Sequence, residues 1–143
     1  MSTYETVLIG FDGSSIDQPV LRRGAELALM ARAQVFLLLV VDDWSLEYCT
    51  DLYPRVSLNP FDDTARETLG RGLSWLAGQG VSAHGHVVFG TMSNEVARWV
   101  KSLSADLVVV GRRRQHWAFN WLIGSDKMRL INHVPCDLLI IDL

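Results

Sequence analysis

Cysteine is scarce in this chain. Its 143 residues include two, Cys49 and Cys136, far apart and outside any CxxC spacing. Cys136 opens an apolar run and reads as a buried structural thiol. Cys49 sits in a polar, aromatic stretch where nothing supports a reactive role, and a disulfide does not suit a reducing compartment. An excess of one charge is also lacking. Lys and Arg total 13 against 16 Asp and Glu, a formal net charge of -3, so no global field favours nucleic acid or a membrane surface. No apolar stretch reaches the ~18 residues of a membrane span. The opening MSTYETVLIGFDGS has no basic region leading into a long apolar run, so no signal peptide is expected and a cytoplasmic location is. There is no internal repeat, no low-complexity segment and no GxxxxGK[ST] pattern. Ser14, Ser15 and Ser125 fall at capping positions, with no histidine and carboxylate placed beside them, so no catalytic set emerges and no enzyme is expected. His84 and His86 share a strand face, but a metal site needs further ligands and none are evident.

What is present is an alternation of periodicities. The chain is 49% hydrophobic and 20% charged, ordinary for a globular protein, and its length suits one domain over 1–143. Strands are expected at Val7 to Phe11, Gln34 to Val41, Ser82 to Phe89, Asp106 to Gly111 and Cys136 to Leu143. The second carries VFLLLVV, a nearly unbroken run that fits burial on both faces of a parallel sheet. Helical spacing runs from Ile16 to Arg32, with Val20, Leu21, Gly24, Ala25, Leu27, Ala28 and Ala31 on one face. It recurs from Asp62 to Gln79, where Ala65, Leu69, Leu73 and Leu76 point inward. A third helix spans about Ser93 to Leu103, with Val96, Ala97, Val100 and Leu103 inward, and a short fourth runs from Ser125 to Asn132. Asp42 to Pro60 is irregular and reads as a loop. Regular strand–helix alternation predicts an α/β fold, a doubly wound parallel five-stranded sheet with helices on both faces. Ligands of such sheets bind at the C-terminal strand ends where the strand order reverses, which draws attention to Asp12, Val41, Gly90 and the stretch from Gly111 to Arg114.

Three segments then carry a family likeness. VLIGFDGS, GTMSNEVARWVKSLSADLVVVG and GSDKMRLINHVPCDLLII, in this order, resemble the universal stress protein family over essentially the full length. The resemblance implies strand order 3-2-1-4-5, as in adenine nucleotide alpha hydrolase-like folds, and a homodimer built through the last strand, Val134 to Leu143. In one branch it implies an ATP site, used with magnesium, carrying Gly-x2-Gly-x9-Gly-Ser/Thr. In that pattern glycines turn the backbone toward the ligand and let it approach the phosphates, and the hydroxyl residue sits at a helix N-terminus that favours anions. Here Gly111, Gly124 and Ser125 match, and Arg114 holds the second glycine position. The residues this likeness assigns to a nucleotide are Gly10, Asp12, Val41, Val110, Gly111, Arg114, Gly124, Ser125 and Asp126.

Several of these have competing readings. A non-glycine residue at a positive φ costs on the order of 1 kcal/mol, which a fold absorbs, but a bulky side chain at Arg114 starts where phosphates would pass. Its guanidinium could instead grip a phosphate, with Arg112 and Arg113 adding charge. The favoured alternative is a solvated arginine loop with no ligand. Asp12 resembles the acidic residue beside the nucleotide and equally suits a turn cap. Gly10 stands where the ATP branch often has proline. Val41 would offer backbone groups to an adenine, or is plain core. Trp117 and Trp121 read as a helical turn tucked onto the sheet. The sequence thus favours a dimeric, non-catalytic cytoplasmic stress-response protein that works through an unidentified protein partner and binds ATP weakly or not at all. The alternative is a nucleotide-binding regulator using the altered loop, and a slow nucleotide hydrolase is the least supported.

Overall fold

The computed structural model describes residues 3–13, 18–41, 60–112 and 129–142. Its elements are β1 (Thr6–Phe11), α1 (Gln18–Ala31), β2 (Gln34–Val41), α2 (Pro60–Gly78), β3 (Ala83–Phe89), α3 (Met92–Leu103), β4 (Leu107–Arg112) and β5 (Asp137–Asp142). The strands form one five-stranded sheet in the order β3-β2-β1-β4-β5, every pairing parallel. This is the expected doubly wound arrangement with the expected strand order.

Side-chain alternation along the central strands divides the core between two faces. On one face Val7, Ile9, Phe11, Val35, Leu37 and Leu39 pack with Val20 and Ala25 of α1 and with Leu69 and Leu76 of α2. On the other, Leu8, Leu38, Val40, Val108 and Val110 pack with Val96 and Val100 of α3 and with Leu130 and Val134. The unbroken VFLLLVV run is explained by its central place in the sheet, since both of its faces are covered. The outer strands β3 and β5 are less buried.

Helix starts differ slightly from the sequence expectation. α2 begins at Pro60 rather than Asp62, because proline is tolerated in the first turn, where its missing N–H has no intrahelical partner. α3 begins at Met92, one residue before Ser93, with Thr91 as N-cap accepting from the Asn94 N–H. Of the expected fourth helix, residues 129–133 are described and helical; its start lies outside the described residues.

The lower edge of the sheet is pinned by carboxylates. Asp106 Oδ2 accepts from the N–H groups of Glu5 at 2.7 Å and Thr6 at 2.8 Å, fixing the start of β1 beside β4. Tyr4 donates its hydroxyl to Asp137 Oδ2 at 2.8 Å, so the segment leading into β1 reaches across to β5. Cys136 lies beside this cluster as a half-buried free thiol. Burial pushes its pKa up, and the negative charges of Asp137 and Asp106 push the same way. A thiol with a raised pKa has less reactive thiolate at mildly alkaline pH. Alkylation of Cys136 by iodoacetamide at pH 8, followed by peptide mass spectrometry, is therefore expected to be at least about threefold slower in the folded protein than in urea. Equal rates would show that the fold does not protect the thiol. By the same linkage, any stability this thiol contributes is present below its ordinary pKa and is lost as pH rises through the raised one.

Candidate functional site

The strands part where the strand order reverses. β1 pairs with β4 from Val7↔Leu107 to Ile9↔Val109. Beyond that point β1 continues with β2 to Phe11↔Leu39, and β4 continues with β5 to Arg112↔Asp142. This is the switch point beside which ligands of doubly wound folds bind.

Asp12, exposed, comes directly after the end of β1. Next to it is a cleft of about 220 Å³ lined by Asp12, Gly13, Leu39, Val41, Thr64, Ala65 and Thr68. β2 supplies the floor, and the early turns of α2 supply a wall. Gly13 has φ +86°, a conformation glycine adopts without strain. A Cβ there would come within 2.8 Å of Thr68 Cγ2 and 3.2 Å of Leu39 Cδ1, so the β1–α1 turn lies directly against α2. Thr68 is itself held, donating to the Thr64 carbonyl at 2.8 Å and accepting from Arg71 at 3.3 Å. The Val41 carbonyl accepts from the Gly90 N–H at 2.9 Å.

The other sequence candidates fall elsewhere. Gly10 is buried, and a Cβ built on it would meet Met92 Sδ at 3.0 Å, Val110 Cγ1 at 3.2 Å and Val96 Cγ2 at 3.3 Å. Close packing of α3 on β1 therefore accounts for this glycine without a ligand. The Val110 side chain belongs to the same core face. Gly111 lies in register with Ile141 near the end of β4. Arg114, Gly124, Ser125 and Asp126 lie outside the described residues. So do Ser14, Ser15, Arg113, His116, Cys49, Trp117 to Trp121 and residues 42–59 of the expected loop. Sequence reasoning missed Thr64 and Thr68. They flank the inward stripe of Ala65 and Leu69, and the packing of α2 against the β1 turn and the end of β2 brings them to the cleft. His84 and His86 are both exposed, one stacked on Phe36 and the other tilted against Trp99. Among the described residues no group of three or more His, Cys, Asp or Glu is placed to hold a metal ion.

Comparison with known proteins settles the family. The model of the universal stress protein family matches residues 3–142. The chain belongs to the universal stress protein family. A universal stress protein of Synechocystis sp. is 27% identical to it over 154 residues, covering 96% of this chain and 97% of that one. Among solved structures, a universal stress protein in complex with cAMP superposes with a TM-score of 0.71 at 19% identity, covering 97% of each chain. The universal stress protein from Archaeoglobus fulgidus in complex with dAMP gives 0.66 at 19% identity, covering 99% of each. At these identities the structural likeness establishes the fold. No helix among the described residues is long and apolar enough to cross a membrane.

Proposed function

We propose that this universal stress protein is a non-catalytic regulator that takes the base and ribose of an adenine nucleotide in the Asp12–Val41 cleft and holds a triphosphate poorly. The observation that carries this reading is the cleft itself. It opens at the C-terminal ends of β1 and β2, next to the point where β1 and β4 part, with the Asp12 carboxylate at its rim and Val41 in its floor. Its volume of about 220 Å³ lies below the ~300 Å³ at which whole-ligand pockets begin, which suits a base with part of its ribose. The two relatives of like fold were solved with cAMP and dAMP, nucleotides with a single phosphate. Arg114, in place of the glycine that lets a backbone approach the β- and γ-phosphates, accounts for weak triphosphate binding. Asp12 would serve the ribose hydroxyls and Val41 the base. Gly111, Gly124, Ser125 and Asp126 would form what remains of the phosphate loop.

The same reading places the protein in the cytoplasm as a homodimer. β5 is an edge strand whose middle residues are half-buried, and an apolar edge strand is a liability unless paired. Pairing about a two-fold through Val134 to Leu143 would cover it. A protein partner would then read the nucleotide state through the surface around the cleft.

Titration calorimetry with AMP, cAMP and ATP–magnesium tests the proposal, alongside an assay of adenine nucleotide released from the purified protein by heat. AMP is expected to bind more tightly than ATP. Arg114→Gly is expected to raise ATP affinity by about tenfold, the equivalent of one phosphate contact regained, and to leave AMP affinity unchanged. Wild-type protein that binds ATP more tightly than AMP would overturn the assigned role of Arg114. Absence of AMP binding in both proteins would remove the cleft as a nucleotide site. ADP formed in single-turnover assays above a protein-free control would overturn the non-catalytic assignment.

A further inference from the structure

A second concavity lies on the opposite face of the sheet. It measures about 410 Å³ and is lined by Val88, Phe89, Glu95, Arg98, Trp99 and Ser102. Residues 95, 98, 99 and 102 keep the i, i+3, i+4, i+7 spacing of one helix face, so α3 forms one wall and the end of β3 the other. Its volume falls within the range of small-molecule sites. The nucleotide cleft is lined by α2, whereas this cavity is lined by α3, so the two are physically separate.

The cavity holds a carboxyl group in an unusual setting. The Glu95 side chain is 8% exposed, although a glutamate on a surface helix ordinarily faces water. Among the described residues the side-chain partner it has is Arg98, at 3.3 Å from Oε1. That guanidinium is 72% exposed, so water weakens the pair. Gly90 makes the burial possible, because a Cβ there would stand 2.9 Å from Glu95 Oε1. Buried carboxylates are costly unless hydrogen-bonded and compensated. Position in the first turn of α3 supplies part of that compensation through the helix dipole. Two of the other lining residues, Phe89 and Trp99, are aromatic. Phe89 is 41% exposed, and the Trp99 indole is steadied by His86, ring centroids 4.4 Å apart.

We infer that this cavity is a second ligand site that takes a small organic cation with an apolar body, such as an arylalkyl or alkyl primary amine. An ammonium has three donors and would donate to the Glu95 carboxylate, while aromatic faces attract a cation electrostatically. The apolar body would cover Val88 and the indole. The exposed Arg98 would yield its place on the carboxyl group, since it loses little on returning to water. Anionic ligands do not fit as well, because the buried group in the cavity wall is acidic and the cation beside it, Arg98, lies mostly in water.

The test uses the full chain with 2-phenylethylamine as probe and 2-phenylethanol as its uncharged counterpart. Binding is tracked by ¹H–¹⁵N spectra through the Trp99 indole N–H, assigned with Trp99→Phe, and the Gly90 amide. The amine is expected to shift both resonances saturably at millimolar concentration. The alcohol is expected to bind at least about tenfold more weakly, the worth of a charged hydrogen bond. Glu95→Gln should lose amine affinity by a similar factor. Arg98→Ala, at an exposed position, removes the competing cation and should tighten amine binding by about threefold. Equal binding of alcohol and amine, amine binding undiminished by Glu95→Gln, weaker amine binding in Arg98→Ala, or no saturable shift at Trp99 would each overturn the assignment. Because the nucleotide cleft lies on the other face, these outcomes do not bear on it.

Discussion

Gly24→Leu is expected to cost about 3 kcal/mol of folding stability, more than any surface change in this chain. Gly24 lies in the middle of α1 on its buried face. A Cβ there would stand 2.5 Å from Ile9 Cδ1 and 2.9 Å from Ile9 Cγ1. Ile9 is fully buried in β1 and has no free space to rotate into, because Val7, Phe11 and the α1 residues around it are buried as well. The added side chain must therefore push α1 off the sheet or force Ile9 out of its rotamer. Against a total stability of roughly 5–15 kcal/mol the loss is large, and the melting temperature should fall by roughly 10 °C. Urea unfolding monitored by circular dichroism measures it. Gly70→Ala is the control. It lies in α2, and a Cβ there meets nothing within 4 Å, so helix propensity alone should act and raise stability by about 0.5–1 kcal/mol. Equal effects at the two positions would mean that the α1–β1 contact is not the cause.

The fold was legible because two periodicities alternate cleanly along the chain. The continuous apolar run of β2 already requires two covered faces, and two covered faces require helices on both sides of a parallel sheet. Helix starts were less legible. Pro60 reads as a loop residue from composition, yet it opens α2, and the ambiguity is physical because the residue suits both places. Half of the cleft is legible from the residues at the C-terminal end of each strand, where Asp12 and Val41 stand. The other half comes from α2, and no local pattern states which turn of a helix will cover a strand end. Gly10 shows the converse limit. A glycine near a strand end suggests backbone approach to a ligand, while here the packing of Met92, Val96 and Val110 is reason enough. Glu95 was not legible at all. In sequence it is one more charged residue on an amphipathic helix, and only the space left by Gly90 lets its carboxyl group turn inward.

Gly13→Val is expected to weaken AMP binding by at least about tenfold and to lower stability by about 2 kcal/mol. Two separate costs meet at this residue. Its φ of +86° is strained for any L side chain and most of all for a β-branched one. Independently, the new Cβ would lie 2.8 Å from Thr68 Cγ2 and 3.2 Å from Leu39 Cδ1, and both of those residues line the cleft. Relief of the contact moves either the Asp12–Gly13 turn or α2, so binding and stability should fall together. The two costs can be separated with Thr68→Ser, which removes Cγ2 and keeps the hydroxyl that donates to the Thr64 carbonyl. In a double-mutant cycle of Gly13→Ala with Thr68→Ser, the contact should appear as a favourable coupling of about 1 kcal/mol, while the backbone strain remains in both arms. If the coupling is zero, the strained turn alone accounts for the loss. If Gly13→Val binds AMP like the wild type, the base does not lie between the β1 turn and α2, and the cleft is not where the nucleotide sits.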